Sequence, residues 1–196
     1  MENRHKRIGI FGGTFNPPHL GHLIVAEHVQ SMLSLDTIYF VPSFISPHKK
    51  RGEETLASHR LKMVRLAIRT NKKFACSDLE TKQKDTSYSY RTIESFHKAF
   101  PRSRLFLLIG ADNFVDFSTW KYPGRICDEA TLVVMSRSAH APAAGTQFAA
   151  AAKFVDVPDI EISSTEIRKR IKQGKSIRYL VPEVVRRYIL EHGIYR

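Results

Sequence analysis

The sequence predicts an α/β protein: a Rossmann-like, doubly wound parallel sheet in one domain, residues 1–196, with a C-terminal helical part over about 163–196. Three observations point there. Strand and helix signals alternate along nearly the whole chain. The run Leu105-Phe106-Leu107-Leu108-Ile109 is continuously apolar, as a central strand buried on both faces must be. A glycine-rich turn at Gly12-Gly13 separates the first strand signal from the first helix signal.

Arg7 to Phe11 reads as the first strand and Gly21 to Ser34 as the first helix, opened by the apolar run Leu23-Ile24-Val25-Ala26. Thr37 to Val41 is β-branched and aromatic and stops at Pro42, a second strand. Ser58 to Arg69 spaces Leu61, Val64, Leu66, Ala67 and Ile68 among basic residues, the pattern of an amphipathic helix. Phe74 to Leu79 reads as a third strand, and Ser89 to Phe100 as a helix ended by Pro101. After the central strand, Ala130 to Met135 and Phe154 to Val157 are the last strand signals. The Ala-rich, almost uncharged segment 138–153 reads as a loop followed by a short helix. Ser163 to Gln173 and Pro182 to Glu191 are helical, with Gly174 and Gly193 as stops.

A chain of 196 residues with 42% hydrophobic side chains fits one domain with its own core. No apolar run is long enough to span a bilayer, and the segment Met1 to Arg7 has no signal core. Two cysteines, Cys76 and Cys127, stand in no metal or redox spacing, so a reduced, cytoplasmic protein is expected. The formal charge is +12, with 31 Lys and Arg against 19 Asp and Glu. Such a surface attracts polyanions. Nucleoside triphosphates and nucleic acid both qualify, so a basic nucleic-acid-binding protein stands as the alternative of another class. The basic residues are scattered, however, and build no aromatic–basic module for RNA.

The chemistry is concentrated in residues 11–22, Phe-Gly-Gly-Thr-Phe-Asn-Pro-Pro-His-Leu-Gly-His. Backbone amides at a helix N-terminus favour anions. Two imidazoles at i and i+3, His19 and His22, share one side of a helical turn. The arrangement describes a phosphate site whose charge can be neutralised during a reaction. With His28 the two could in principle offer metal ligands, but zinc sites bring Cys or carboxylates at tighter spacing, so no protein metal site is expected.

A second constellation is Ile162-Ser163-Ser164-Thr165-Glu166-Ile167-Arg168. Ser163 followed by Glu166 is a capping box, which suffices for an ordinary helix start. The same hydroxyls and amides, with Arg168, also suit phosphate oxygens. Gly110-Ala111-Asp112 follows the central strand, where open α/β sheets bind ligands; Asp112 is a candidate for ribose hydroxyls or, alternatively, a helix cap. His48 and Lys49 lie in a basic loop after the second strand, and Trp120, the single tryptophan, reads by itself as a core residue.

Residues 11–22 resemble the HxGH nucleotidyltransferases, with Asn16 where Asp is usual, and Ile162 to Arg168 is similar to their I-S-S-T-x-I-R motif. Pro42 to Lys49 resembles the family's P-x-x-x-P-P-H-K segment, with Ser46 in place of the first Pro. Gly110 to Trp120 and Thr86 to Thr92 resemble segments of the bacterial nicotinate-nucleotide adenylyltransferases, with Arg91 where Asp is commonest. The resemblance implies transfer of AMP from ATP to nicotinate mononucleotide, giving deamido-NAD and pyrophosphate in NAD biosynthesis. Nicotinamide mononucleotide or another phosphorylated acceptor is the alternative within the same chemistry. It implies catalytic roles for His19, His22, Lys49 and Arg168. ATP would be held by Gly12, Gly13, Thr14, Phe15, the two histidines, Gly110, Asp112 and the 162–165 segment with Arg168. Nicotinate mononucleotide would be held by Gly13, Thr14, His48, Lys49, Ser89, Asp112, Trp120 and Lys121, with the indole packed on the pyridine ring. Mg2+ bound mainly through ATP phosphates is the expected cofactor. Neither nucleic acid nor membrane is an expected partner, and a homo-oligomer is compatible with all of this.

Overall fold

The protein was analysed as a computed structural model that describes residues 5–45, 56–136 and 147–196. The described elements are β1 (Lys6–Gly13), α1 (Leu20–Met32), β2 (Thr37–Pro42), α2 (Ala57–Ile68), β3 (Phe74–Cys76), α3 (Leu79–Gln83), α4 (Ser89–Ala99) and β4 (Ser103–Gly110). They continue with α5 (Ala111–Val115), α6 (Pro123–Glu129), β5 (Thr131–Ser136), β6 (Ala152–Asp156), α7 (Ser164–Lys172) and α8 (Glu183–Glu191). The strands form one sheet in the order β3-β2-β1-β4-β5-β6, and every neighbouring pair is parallel. That is the Rossmann order, with the winding reversed between β1 and β4.

The two faces of the sheet explain the apolar runs. In β4, Leu105, Leu107 and Ile109 join Ile8 and Ile10 of β1 in a core with Ile93 and Phe96 of α4, Phe114 of α5 and Ile126 of α6. Phe106 and Leu108 point the other way, into a core with Phe11, Ala26 and Val29 of α1, Met63 of α2, Ile167 of α7 and Ile189 of α8. A strand covered on both sides has no position left for a polar residue. Each large side chain so buried contributes about 1.5–3 kcal/mol relative to exposure. Gly9 faces the α1 side, where a Cβ would stand 2.9 Å from Leu35 Cδ1 and 3.0 Å from Ile38 Cγ1. Its lack of a side chain lets those residues close over β1.

Most expected elements stand where the sequence puts them, and the departures have local causes. The third strand ends at Cys76, short of the expected Leu79, because Leu79 instead opens α3 with its amide on Ser77 Oγ at 3.4 Å. Helices α3, α5 and α6 have five, five and seven residues, too few turns to impose a visible 3.6-residue period. The last strand begins at Ala152 and ends at Asp156, because pairing with Leu132 to Ser136 of β5 sets its register. Within the described end of the Ala-rich segment, Ala149–Ala151 form a 3-10 turn, the short helix expected there.

Gly9→Ala should lower unfolding stability by about 1–3 kcal/mol through overpacking against Leu35 and Ile38, read from urea midpoints at constant slope. An unchanged midpoint would mean that both side chains swing aside without cost.

Candidate active site

Where the winding of a parallel sheet reverses, the flanking loops part and leave a crevice at the carboxyl ends of the strands. Here that crevice lies beyond Gly13 of β1 and Gly110 of β4. The turn between β1 and α1 occupies it. Phe15 takes a left-handed backbone conformation (φ 49°) and turns its ring into the core, 2% exposed, against Phe11, Phe40 and His22. The ring therefore anchors the turn, and what Phe15 can offer a ligand is backbone.

His19 is the N-cap of α1, and His22 follows one turn later. Their rings lie 3.6 Å apart between centroids, inclined by 31°. His22 Nδ1 accepts the backbone N–H of His19 at 3.2 Å. In a neutral imidazole that acceptor role places the proton on Nε2, which becomes a donor. Gly21 lets the His19 ring lie close over the backbone: a Cβ there would sit 3.1 Å from His19 Nδ1 and 3.2 Å from its Cε1. The H-x-G-H spacing thus encodes a cap, a ring laid over a bare backbone, and a second ring returning to the first residue's amide. His19 is 7% exposed, and its Nδ1 has no hydrogen-bond partner. Burial lowers its pKa from 6.5 to about 4, so at neutral pH it is uncharged.

The second constellation meets the first directly. Ser163 caps α7, its Oγ accepting the Glu166 amide at 3.2 Å, as the capping box requires. The next residues reach across. Ser164 Oγ donates to the Pro17 carbonyl at 2.9 Å, and Arg168 Nη1 to the Asn16 carbonyl at 2.9 Å. Arg168 also donates to Thr165 Oγ1 at 3.3 Å, and Ile162 packs on the α1-side core. In the third segment Gly110 is the cap of α5, so the cap reading of Asp112 is corrected: it lies one residue inside the helix. Its carboxylate folds back over Gly110 and accepts from Asn113 Nδ2 at 3.2 Å.

A separate group gathers at the start of α4. Ser87 ties this segment to the end of β2, its Oγ accepting the Phe44 amide at 3.0 Å and its own amide donating to Ile45 O at 2.9 Å. Ser89 is the first residue of α4, after Tyr88. Lys121 Nζ stands 4.9 Å from the Tyr88 ring centre, which brings the Trp120–Lys121 segment to the same place. Trp120 is half-buried against Phe117, at 5.3 Å between rings, so it belongs in part to the core. Arg91 is paired with Asp85 at 3.0 Å and donates to Tyr90 Oη at 3.1 Å. His48 and Lys49 lie outside the described residues.

Three supporting residues escape a motif reading. Arg60, 1% exposed, donates to Thr14 O at 2.8 Å and Phe44 O at 3.2 Å, joining the loops after β1 and β2. It occupies the apolar face of α2 with Met63, Val64 and Ala67, and an arginine in that register was the available signal. Glu80 is buried and accepts from Thr92 Oγ1 at 2.5 Å and from Ser87. Burial raises its pKa and those hydroxyls oppose the rise. Tyr195 Oη donates to Asn16 Oδ1 at 2.6 Å, from 179 residues away, with no sequence signal at all.

Among the described residues no cluster of three His, Cys, Asp or Glu could cage a metal ion, and no helix is long and apolar enough to cross a membrane. Residues 10–170 match the cytidylyltransferase-like family. A relative in Exiguobacterium sibiricum named "Probable nicotinate-nucleotide adenylyltransferase" is 40% identical over 191 residues, 96% of this chain and 98% of its own. The nicotinate-nucleotide adenylyltransferase of Bacillus subtilis is 37% identical over 190 residues, 97% of this chain and 98% of its own. The fold is also that of the Plasmodium falciparum nicotinic acid mononucleotide adenylyltransferase complexed with NaAD, with a TM-score of 0.80 at 20% identity, covering 97% and 98% of the two chains.

The neutral His19 carries a pH prediction. Between about 4 and 6.5 the unfolded chain binds a proton at this position that the native chain does not. Its contribution to stability is therefore complete above 6.5, falls as the pH drops, and is gone below about 4. Urea midpoints measured across that range should fall less steeply for His19→Gln than for the parent protein. Parallel slopes would show that the native His19 takes up its proton at the same pH as the unfolded chain.

Proposed function

Since the chain belongs to the cytidylyltransferase-like family and, within it, to the nicotinate-nucleotide adenylyltransferases, we propose that it transfers AMP from ATP to nicotinate mononucleotide, forming deamido-NAD and pyrophosphate. The observation that supports this most is the stacked His19–His22 pair at the head of α1, met by the start of α7 through Ser164 and Arg168. The reaction needs no covalent intermediate. A phosphate oxygen of the acceptor attacks the α-phosphorus of ATP in line. A new P–O bond forms as the bond to the β-phosphate oxygen breaks, and pyrophosphate carries away that electron pair. The protein supplies position and charge.

In this reading the backbone of residues 12–15 and the first turn of α1 face the triphosphate. His22, with its ring proton on Nε2, donates to a phosphate oxygen where negative charge accumulates. The uncharged His19 binds the nucleotide without opposing neighbouring cations. Arg168 holds the turn through Asn16 and brings positive charge to the phosphates, with Ser163 to Thr165 beside it. Gly110 and Asp112 take the ribose hydroxyls. Ser89, Trp120 and Lys121 take the nicotinate ring and carboxylate, and His48 and Lys49 its phosphate. Nucleotidyltransferases generally use a divalent metal, and we assign Mg2+: a hard cation carried by triphosphate oxygens and water requires no protein cage, and it neutralises the charge of the transferring phosphates. The +12 charge serves two anionic substrates, and we assign no nucleic-acid partner. The two free cysteines support a cytoplasmic protein, built as one domain over residues 1–196.

Pyrophosphate release from ATP, measured with each mononucleotide in turn, tests the assignment. The carboxylate accepts from fixed N–H donors, whereas an amide presents its own N–H to one of them, so kcat/KM should favour nicotinate over nicotinamide mononucleotide by at least ~10²-fold. Equal values would overturn the choice of acceptor, and no release with either would overturn the chemistry. His22→Ala should lower kcat by about 10²–10³-fold while changing ATP affinity less. Undiminished turnover in that variant would remove His22 from the mechanism.

A further inference from the structure

The turn that carries the two histidines has no regular secondary structure between Thr14 and His19, so its shape is imposed from outside. Arg60 holds the Thr14 carbonyl, Arg168 the Asn16 carbonyl and Ser164 the Pro17 carbonyl. Each of those grips the backbone. The bond from Tyr195 differs, because its hydroxyl donates to the side-chain oxygen of Asn16 at 2.6 Å. Asn16 is 5% exposed, so this is an interior contact.

The path of the chain to that contact is itself unusual. After α8, Gly193 takes φ 59° and Tyr195 takes φ 71°. The left-handed region suits glycine but is strained for a bulky aromatic residue, and such strain persists only where surrounding contacts over-determine it. Between the two, Ile194 is buried in the α1-side core, and its amide donates to Ile189 O at 3.0 Å. The Tyr195 ring packs at the edge of the same core. Two left-handed residues and one buried anchor thus carry a single hydroxyl back to the turn beneath His19.

We propose that Tyr195 is a positioning residue for adenylyl transfer: through Asn16 it fixes the turn that sets His19 and His22 against the nucleotide. The proposal rests on the reading that this turn binds ATP. The side-chain grip on Asn16 adds a restraint to the backbone contacts at Thr14, Asn16 and Pro17. The group acts at a distance, since Tyr195 touches Asn16 and Asn16 precedes the histidines by three and six residues.

The test is a double-mutant cycle on Tyr195→Phe and Asn16→Ala in the full chain. Phenylalanine keeps the ring in the core and removes only the hydroxyl. Two readouts are taken: kcat and KM for pyrophosphate release with nicotinate mononucleotide, and ATP binding alone by titration calorimetry. Tyr195→Phe should lower kcat by about 10-fold, the scale expected for a small misplacement of catalytic groups, with KM for the mononucleotide unchanged. The double variant should be no worse than the poorer single variant. Wild-type kcat in Tyr195→Phe, with or without a lower melting temperature, would overturn the proposal, as would additive losses. If the parent protein turns over no mononucleotide, the functional reading has failed separately. ATP affinity then decides: non-additive weakening supports the positioning role, and unchanged affinity in Tyr195→Phe removes it.

Discussion

The turn between β1 and α1 has no regular secondary structure from Thr14 to His19, and it therefore cannot satisfy its own backbone. Its carbonyls at Thr14, Asn16 and Pro17 receive donors from Arg60, Arg168 and Ser164, residues on α2 and α7. A buried carbonyl without a donor carries a desolvation cost of about 1–3 kcal/mol, so these contacts are conditions for the turn to exist. Much of the remaining architecture follows from delivering them. Helix α2 must lie close enough for a fully buried guanidinium to span the loops after β1 and β2. Helix α7 must return to the first strand's exit from the far end of the chain.

The electrostatics of the crevice are arranged with the same economy. Two guanidiniums stand beside the turn, and both are directed at carbonyl oxygens. His19, desolvated and uncharged at neutral pH, adds no further cation to a buried cluster. This avoids burying an imidazolium beside the two guanidiniums.

The group at the start of α4 is built on a different principle. Its foundation is the buried Glu80 carboxylate, which gathers the hydroxyls of Thr92 and Ser87. Ser87 in turn holds the Phe44 amide, so one acidic side chain ties the residues just after β2 to the head of α4. Above it, Tyr88, Tyr90, Tyr122, Lys121 and Arg91 interleave rings and cations. Asp85 pairs with Arg91 at 3.0 Å, so its charge is balanced locally. Cation–π contacts at such partly exposed sites are worth about 0.5–1 kcal/mol each.

By itself the sequence determined the parallel sheet, the cap of α7 and the H-x-G-H turn. Each is written in neighbouring residues: an apolar run, a Ser–Glu spacing of three, a glycine beside a histidine. The short helices α3, α5 and α6 were not legible because five to seven residues do not complete the turns that make a period visible. Only the tertiary structure decided which distant groups hold the turn. Arg60 left a faint trace as a charge on an apolar helix face, whereas Tyr195 left none. A hydrogen bond between residues 179 apart depends on the summed geometry of every element between them, and no local pattern records that sum. The charge state of His19 was decided in the same way, because desolvation is a property of what packs around a ring and not of the residues beside it in the chain.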